Sequence, residues 1–215
     1  LAGDVEAIRK KIRAFLQTKH PDGGSIGSSA FGIYAFYDYD GEPIYVGKTC
    51  EGLSSRISRH LTNQRTDAVA MNVLDPFEVA EIRVWPLNFH RLEKHQALEL
   101  LAQAEYTVYQ KLLRESKLNA VLNEKPPPKT AAFKLPKDYR GRIIPDDIYP
   151  LRKHPDIRIA RRANTIASLA RVISERKVSK GLRRTLLTQA RRLEKLAAER
   201  LKDFAGKYEE EGEEE

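Results

Sequence analysis

The chain is poor in cysteine: Cys50 is the only one among 215 residues. An intrachain disulfide is therefore excluded, and so is a zinc site built from several thiolates. Such sparing use of cysteine fits a reducing compartment, and the cytoplasm is the expected location. Long apolar runs are missing too. None approaches the roughly 20 residues that a membrane span needs, so no membrane partner is expected. The sequence opens LAGDVEAIRK, with neither a signal-peptide pattern nor an initiator Met, and its first residue is not read as the native start. No segment repeats another.

What the chain has in plenty is positive charge. The formal charge is +8 and the sequence pI about 9.5, although the tail EEEGEEE (209–215) contributes six glutamates. Without them the remainder carries +14. A body this basic points to a polyanionic partner, nucleic acid first. The plainer reading is solubility alone.

The length allows one ordinary domain with a smaller appendage. Residues 4–18 place Val5, Ile8, Ile12 and Leu16 at helical spacing. A Gly/Ser loop follows over 20–30. Residues 31–38 and 43–47 read as strands joined through Asp40-Gly41, 53–62 as a short helix, 77–85 as a strand and 91–115 as a long helix. Composition then changes. Residues 123–155 hold seven prolines and read as an extended arm or linker. Residues 157–207 hold fifteen Lys or Arg against four Asp or Glu. They read as two helices broken near Ser179-Lys180-Gly181, with Leu182, Leu186, Leu193, Leu196 and Leu201 as an apolar stripe. Such a basic hairpin can pack on the main domain, pair with a second copy or lie on phosphates. The acidic tail is expected to be disordered.

The stretch GIYAFYDYDGEPIYVG (32–47) holds two tyrosine-glycine clusters around an Asp-Gly. A two-residue turn at Asp40-Gly41 sets Phe36 opposite Tyr45 and Tyr34 opposite Gly47, on one face of the sheet. A turn of odd length would put the two tyrosines on opposite faces. In the next helix Leu53, Arg56, Ile57, His60 and Leu61 share one face. In the long helix Leu98, Leu101, Ala102, Glu105, Val108, Tyr109 and Leu112 do the same. Arg56, His60 and Glu105 thus fall where periodicity assigns the inside, and a buried charge needs a partner. An Arg56–Glu105 ion pair, a core histidine and two packing tyrosines would explain each one singly.

Together these residues resemble the GIY-YIG nuclease superfamily. GIY (32–34), YVG (45–47), Arg56, His60, Glu105 and a later Asn stand in that family's order, and the resemblance covers about residues 31–123. It implies an α+β fold, a small mixed β-sheet flanked by helices, here extended by a basic C-terminal helical hairpin. The expected segments are 1–30, 31–123 for the nuclease module, 124–156 for the proline-rich arm, 157–207 for the hairpin and 208–215 for the tail. The resemblance also implies hydrolysis of a phosphodiester with one divalent ion, Mg2+ or Mn2+. By it, Tyr34 helps activate the attacking water, His60 assists that proton transfer and Tyr45 contacts the scissile phosphate. Arg56 offsets charge on the phosphoryl group and Glu105 holds the metal. Gly47 lies at the phosphate, and Lys48 either binds phosphate or eases deprotonation of the tyrosine. For the family's Asn, Asn119 fits the usual interval better than Asn123.

These chemical types suit the reaction. The transition state of phosphodiester hydrolysis gathers negative charge, which an Arg and a metal offset. One carboxylate plus waters and phosphate oxygens is a usual magnesium environment. Tyrosine is a poor base, with a reference pKa near 10, and needs a neighbour. The modest additions to the module favour a compact type II restriction endonuclease, a homodimer if it cuts both strands of a palindrome. A structure-specific or nonspecific nuclease of repair or mobile elements is the alternative, and an inactive nucleic-acid-binding module is another. Candidate DNA contacts are Arg140, Arg142, Arg152 and Lys153 on the arm, with Arg161, Arg162, Arg183 and Arg184 on the hairpin. Each arm cation reads equally as a solvated linker charge. The long stretch 61–76 is read as a specificity loop or a dimer contact.

Overall fold

The computed structural model describes residues 2–21, 23–62 and 73–211. The chain runs through α1 (Ala2–Leu16), β1 (Phe31–Tyr37), β2 (Pro43–Thr49), α2 (Leu53–Thr62), β3 (Glu81–Leu87), α3 (Lys94–Glu115) and β4 (Tyr139–Arg142). It ends with α4 (Tyr149–Lys153), α5 (Pro155–Glu175) and α6 (Lys180–Glu211). The four strands form one sheet in the order β2-β1-β3-β4. This is the expected α+β class with flanking helices, but every pairing is antiparallel where a mixed sheet was expected.

Both faces of the sheet are covered, which is why β1 is buried along nearly its whole length. On one face Tyr34, Phe36, Ile44, Ile82 and Val84 pack with Ile12 and Leu16 of α1, Leu53 and Ile57 of α2, and Leu169, Val172 and Leu182 of the α5–α6 hairpin. On the other, Ile33, Ala35, Tyr37, Val46 and Trp85 meet Ala97, Leu101, Ala104, Val108 and Leu112 of α3. So α2 and α3 lie on opposite faces of the sheet.

The β1–β2 hairpin reaches its register in an unexpected way. Tyr34 does face Gly47, and Phe36 does face Tyr45, but Tyr37 pairs with Pro43 across an irregularity next to Phe36. The turn is therefore odd: Asp38 N–H donates to the Glu42 carbonyl, and Tyr39, Asp40 and Gly41 form the tip. The Asp38 carboxylate holds the tip by accepting from the backbone N–H of Asp40 (2.9 Å) and Glu42 (3.0 Å). The extra residue on β2 is absorbed as a bulge. Ile44 and Tyr45 consequently pack into the same core, and Val46 into the opposite one. Turn and bulge cancel, which restores both tyrosines to one face.

The segment expected as an arm is part of the fold. Phe133 and Leu135 pack against the α3 side, and Phe133 N–H donates to Thr107 Oγ1 (2.9 Å). Residues 139–142 add the fourth strand, and Ile143 and Ile144 are buried behind it. The C-terminal helices are likewise core. Arg158, Arg162 and Arg192 are each at most 4% exposed. Arg158 forks onto Asp40 (3.0 and 2.7 Å) and reaches Glu78; Arg162 donates to Glu78 (2.8 Å) and Asp38 (3.2 Å); Arg192 donates to Asp38 (2.8 Å). Three guanidiniums thus balance three carboxylates, and the hairpin tip is tied to both helices. Burial works against ionisation of Asp40, yet the Arg158 hydrogen bond and charge outweigh it and lower its pKa.

Two further expectations differ. The strand predicted at 77–85 begins at Glu81, because Pro76–Glu78 form a 3-10 turn capped by the Asp75 carboxylate. The acidic end is helical as far as Glu211. Of the stretch 61–76, residues 63–72 lie outside the described residues. Among the described residues no helix is long and apolar enough to cross a membrane.

Candidate active site

β2 is an edge strand, and past its bulge, from Tyr45 onward, successive side chains point to opposite faces. A cleft of ≈ 570 Å³ wraps around that edge. Tyr45 and Gly47 line it from one face beside Arg56 and His60 of α2. Lys48 lines it from the other beside Leu98, Leu101 and Glu105 of α3. The two helices that bring the charged side chains sit on opposite faces and meet only here.

The tyrosines pack as a ring cluster. Tyr34, Tyr45 and Phe36 surround His60 at centroid distances of 5.7, 5.0 and 5.7 Å. Tyr34 is fully buried, and its hydroxyl accepts from Arg56 Nε (3.3 Å). A β-carbon on Gly47 would overlap the Tyr34 ring and hydroxyl, so the YVG glycine makes room for that ring at the cleft wall. Gly32 similarly admits the Leu53 side chain, which seats α2 on the sheet. Burial opposes the Arg56 charge, but the Tyr34 and Tyr45 oxygens and Glu51 outweigh it and raise its pKa, so Arg56 stays a cation.

Arg56 and Glu105 do not pair with one another. Glu105 binds Lys48 Nζ at 2.9 Å, with the two side chains 16% and 40% exposed. Glu105 is not in the middle of the buried face of α3 either. The buried positions are Ala97, Leu101, Ala104, Val108 and Leu112, while Leu98 is 40% exposed. The buried stripe is thus rotated from the expected one, and Leu98 and Glu105, two turns apart, lie on its margin and face the cleft.

The two candidate asparagines part company. Asn119 is exposed, with φ +49°, in the turn that follows α3. Asn123 lines the cleft: its Nδ2 donates to the Val46 carbonyl (2.7 Å) and its Oδ1 accepts from Val46 N–H (3.0 Å). Leu122 N–H donates to the Ile44 carbonyl beside it (2.8 Å). The cleft geometry thus brings Asn123, rather than the preferred Asn119, to the β2 edge. Interval favoured Asn119, but an edge strand needs its backbone groups satisfied, and only Asn123 reaches them.

The candidate DNA-contacting cations are dispersed. Arg140 pairs with Glu81 and lies 4.2 Å from the centre of the Tyr37 ring. Arg142 pairs with Asp146 and covers Tyr149. Arg152 covers Phe77, and Lys153 lies 5.9 Å from the Tyr149 ring. Arg161 forks onto Asp75 (2.8 and 2.9 Å). Arg162 is buried in the ion cluster, where no phosphate can reach it. Arg183 and Arg184 are exposed near the start of α6, and Arg184 Nη2 donates to the carbonyl of the cleft-lining Glu124 (3.0 Å).

Sequence reasoning overlooked Arg158 and Arg192, because a basic helix reads as a solvated or phosphate-binding face. The signal was available. Arg158 and Arg162 are one turn apart and in phase with Leu169 and Val172, the buried residues of α5.

The family model of the GIY-YIG catalytic domain matches residues 30–119. The match spans β1 through α3 and includes every cleft-lining candidate named above except Asn123. No curated protein matches the chain, and no solved structure does.

Proposed function

We propose that the chain is a divalent-metal-dependent DNA endonuclease that hydrolyses phosphodiester bonds, and that it is a sequence-specific type II restriction enzyme acting as a homodimer. The supporting observation is the convergence, in one cleft at the β2 edge, of a tyrosine, an arginine, a histidine, a lysine and a carboxylate from both faces of the sheet. The GIY-YIG match over residues 30–119 supports the nuclease reading.

The donors present fit a magnesium ion. Glu105 offers a single carboxylate at the cleft surface, already engaged with a cation, and the open cleft leaves room for water and phosphate oxygens. Among the described residues no group of three or more His, Cys, Asp or Glu is placed to hold a metal, so the remaining ligands come from solvent and substrate. Such an ion offsets charge on the phosphoryl oxygens and the leaving group. Arg56 supplies a permanent positive charge on the other side of the cleft. Tyr45 and His60 offer a hydroxyl and an imidazole at the lining. The Tyr34 hydroxyl is fully buried behind Gly47, where it accepts from Arg56, and does not itself line the cleft. Lys48 exchanges Glu105 for a phosphate oxygen when substrate enters.

The test is cleavage of several mapped duplex DNAs with magnesium, beside Glu105→Gln and EDTA controls. Discrete fragments that vanish in both controls establish a sequence-specific endonuclease. Cutting confined to branched or single-stranded substrates would replace that reading with a structure-specific nuclease. DNA binding with no cutting of any substrate would leave an inactive module.

A further inference from the structure

The α5–α6 turn sits at the rim of the cleft. Two contacts stitch it there. Ser179 Oγ donates to the Glu124 carboxylate (2.8 Å), and Arg184 Nη2 donates to the Glu124 carbonyl (3.0 Å). Both Glu124 and Lys125 line the cleft. On the opposite wall, Gln189 Nε2 donates to the carbonyl of Val73, another cleft-lining residue (3.0 Å). The start of α6 thus touches two walls of the cleft at once.

The turn is rigid where it needs to be. Ser179 caps α6 by accepting from Leu182 N–H (3.1 Å), Leu182 is buried, and Val178 packs against the same core. Its outer side carries Arg176, Lys177, Lys180, Arg183 and Arg184, five exposed cations within the nine residues RKVSKGLRR, with no acid among them. Apart from Arg184, none of the five has a carboxylate or carbonyl partner among the described ion pairs and hydrogen bonds. Elsewhere on the hairpin, Arg158, Arg161, Arg162, Arg192 and Arg200 each hold a carboxylate.

We propose that this turn is the track for the sugar-phosphate backbone of duplex DNA leaving the cleft, with Lys177, Lys180 and Arg183 as its phosphate contacts. The inference rests on the DNA endonuclease reading and deepens it: it states on which side the flanking duplex runs. Rigidly placed cations beside a phosphate-cleaving cleft neutralise phosphates outside the scissile step and add affinity without reading sequence. The arm candidates Arg140, Arg142, Arg152 and Lys153 are instead placed against carboxylates or aromatic rings.

The experiment measures binding of the full chain to a labelled random-sequence duplex by fluorescence anisotropy, in EDTA to prevent cleavage, from about 50 to 200 mM salt. The Lys177→Ala/Lys180→Ala/Arg183→Ala variant is compared with Lys10→Ala/Lys19→Ala/Lys202→Ala, which removes equal charge elsewhere. The expected result is that the slope of log K against log salt shrinks by about 2 to 3 in the first variant, at about 0.9 per phosphate, and stays at the wild-type value in the second. An unchanged slope in the first variant, with an unaltered melting curve, overturns the track while leaving a cutting wild-type enzyme intact. Equal losses in both variants overturn it as well, by showing a diffuse charge effect. A wild-type chain that binds no duplex overturns the track and the DNA endonuclease reading together.

Discussion

The cleft at the β2 edge and the ion cluster at the hairpin tip draw on the same residue types, yet they are opposites. At the tip, three arginines meet three carboxylates, and every member but Asp40 is almost fully buried. At the cleft, one lysine meets one carboxylate, with Arg56 turned instead to a tyrosine hydroxyl. The tip matches its charges among buried side chains, whereas the cleft's charges line an open surface, where Glu105 is held by a Lys48 side chain that is 40% exposed. A charged residue on an apolar helix face can therefore serve either end. What separates the two is whether the partners are buried together or meet at an open cleft.

The sharpest way to break the comparison is to remove one member from each region. Arg158→Ala leaves Asp40 without its fork and takes one of its arginines from Glu78, and should destabilise the chain by about 3–5 kcal/mol, which a urea melt would read. Deleting 157–215 should abolish cooperative unfolding altogether, since it strips both the arginines and the Leu169, Val172 and Leu182 layer from the sheet. Glu105→Gln should leave the urea midpoint nearly unmoved while cleavage is lost. If the two sites exchange these outcomes, the distinction fails.

Smaller effects sharpen it. Gly47→Ala forces a methyl into the Tyr34 ring and should cost about 1–3 kcal/mol in the melt, together with activity. Asn123→Ala leaves the Val46 N–H and carbonyl unsatisfied and should cost about 1–3 kcal/mol, whereas Asn119→Gly, at a positive φ, should stabilise by only a few tenths. The reverse order would favour Asn119 over Asn123.

The pH dependence has a definite sign. Burial alone would raise the pKa of Asp40, but Arg158 lowers it, so its contribution to stability is present above the unfolded value near 4 and is lost as pH falls through the lower folded value. Burial lifts Tyr37 and Tyr39 to about 12, so their contribution is full below about 10 and drains as pH climbs toward 12. Urea midpoints across pH should fall at both ends, and a flat profile below pH 4 would remove Asp40 from the cluster.

Much of the module was legible in the sequence. The tyrosine pairing was right at Tyr34–Gly47 and Phe36–Tyr45 even though the turn was misread, because an odd turn and a bulge shift the register in opposite senses. The faces of α2 and the presence of α3 followed from periodicity. The rotation of the α3 stripe did not, since small residues such as Ala97 and Ala104 carry little hydrophobic signal yet pack closest. The fourth strand was hidden for another reason. YRGR has no apolar alternation, and it pairs through its backbone with β3 while its side chains take local partners. The arginines of α5 and α6 were read as outward because their carboxylates lie more than a hundred positions away for Asp38 and some eighty away for Glu78, and no local pattern announces such distant partners.

Asn123 and Leu122 together act as a short false strand along the outer side of β2. Their donors and acceptors occupy sites that a neighbouring molecule's strand would otherwise use. The β2 backbone at Ile44 and Val46 is thereby closed to pairing with another strand, and the cleft mouth stays open.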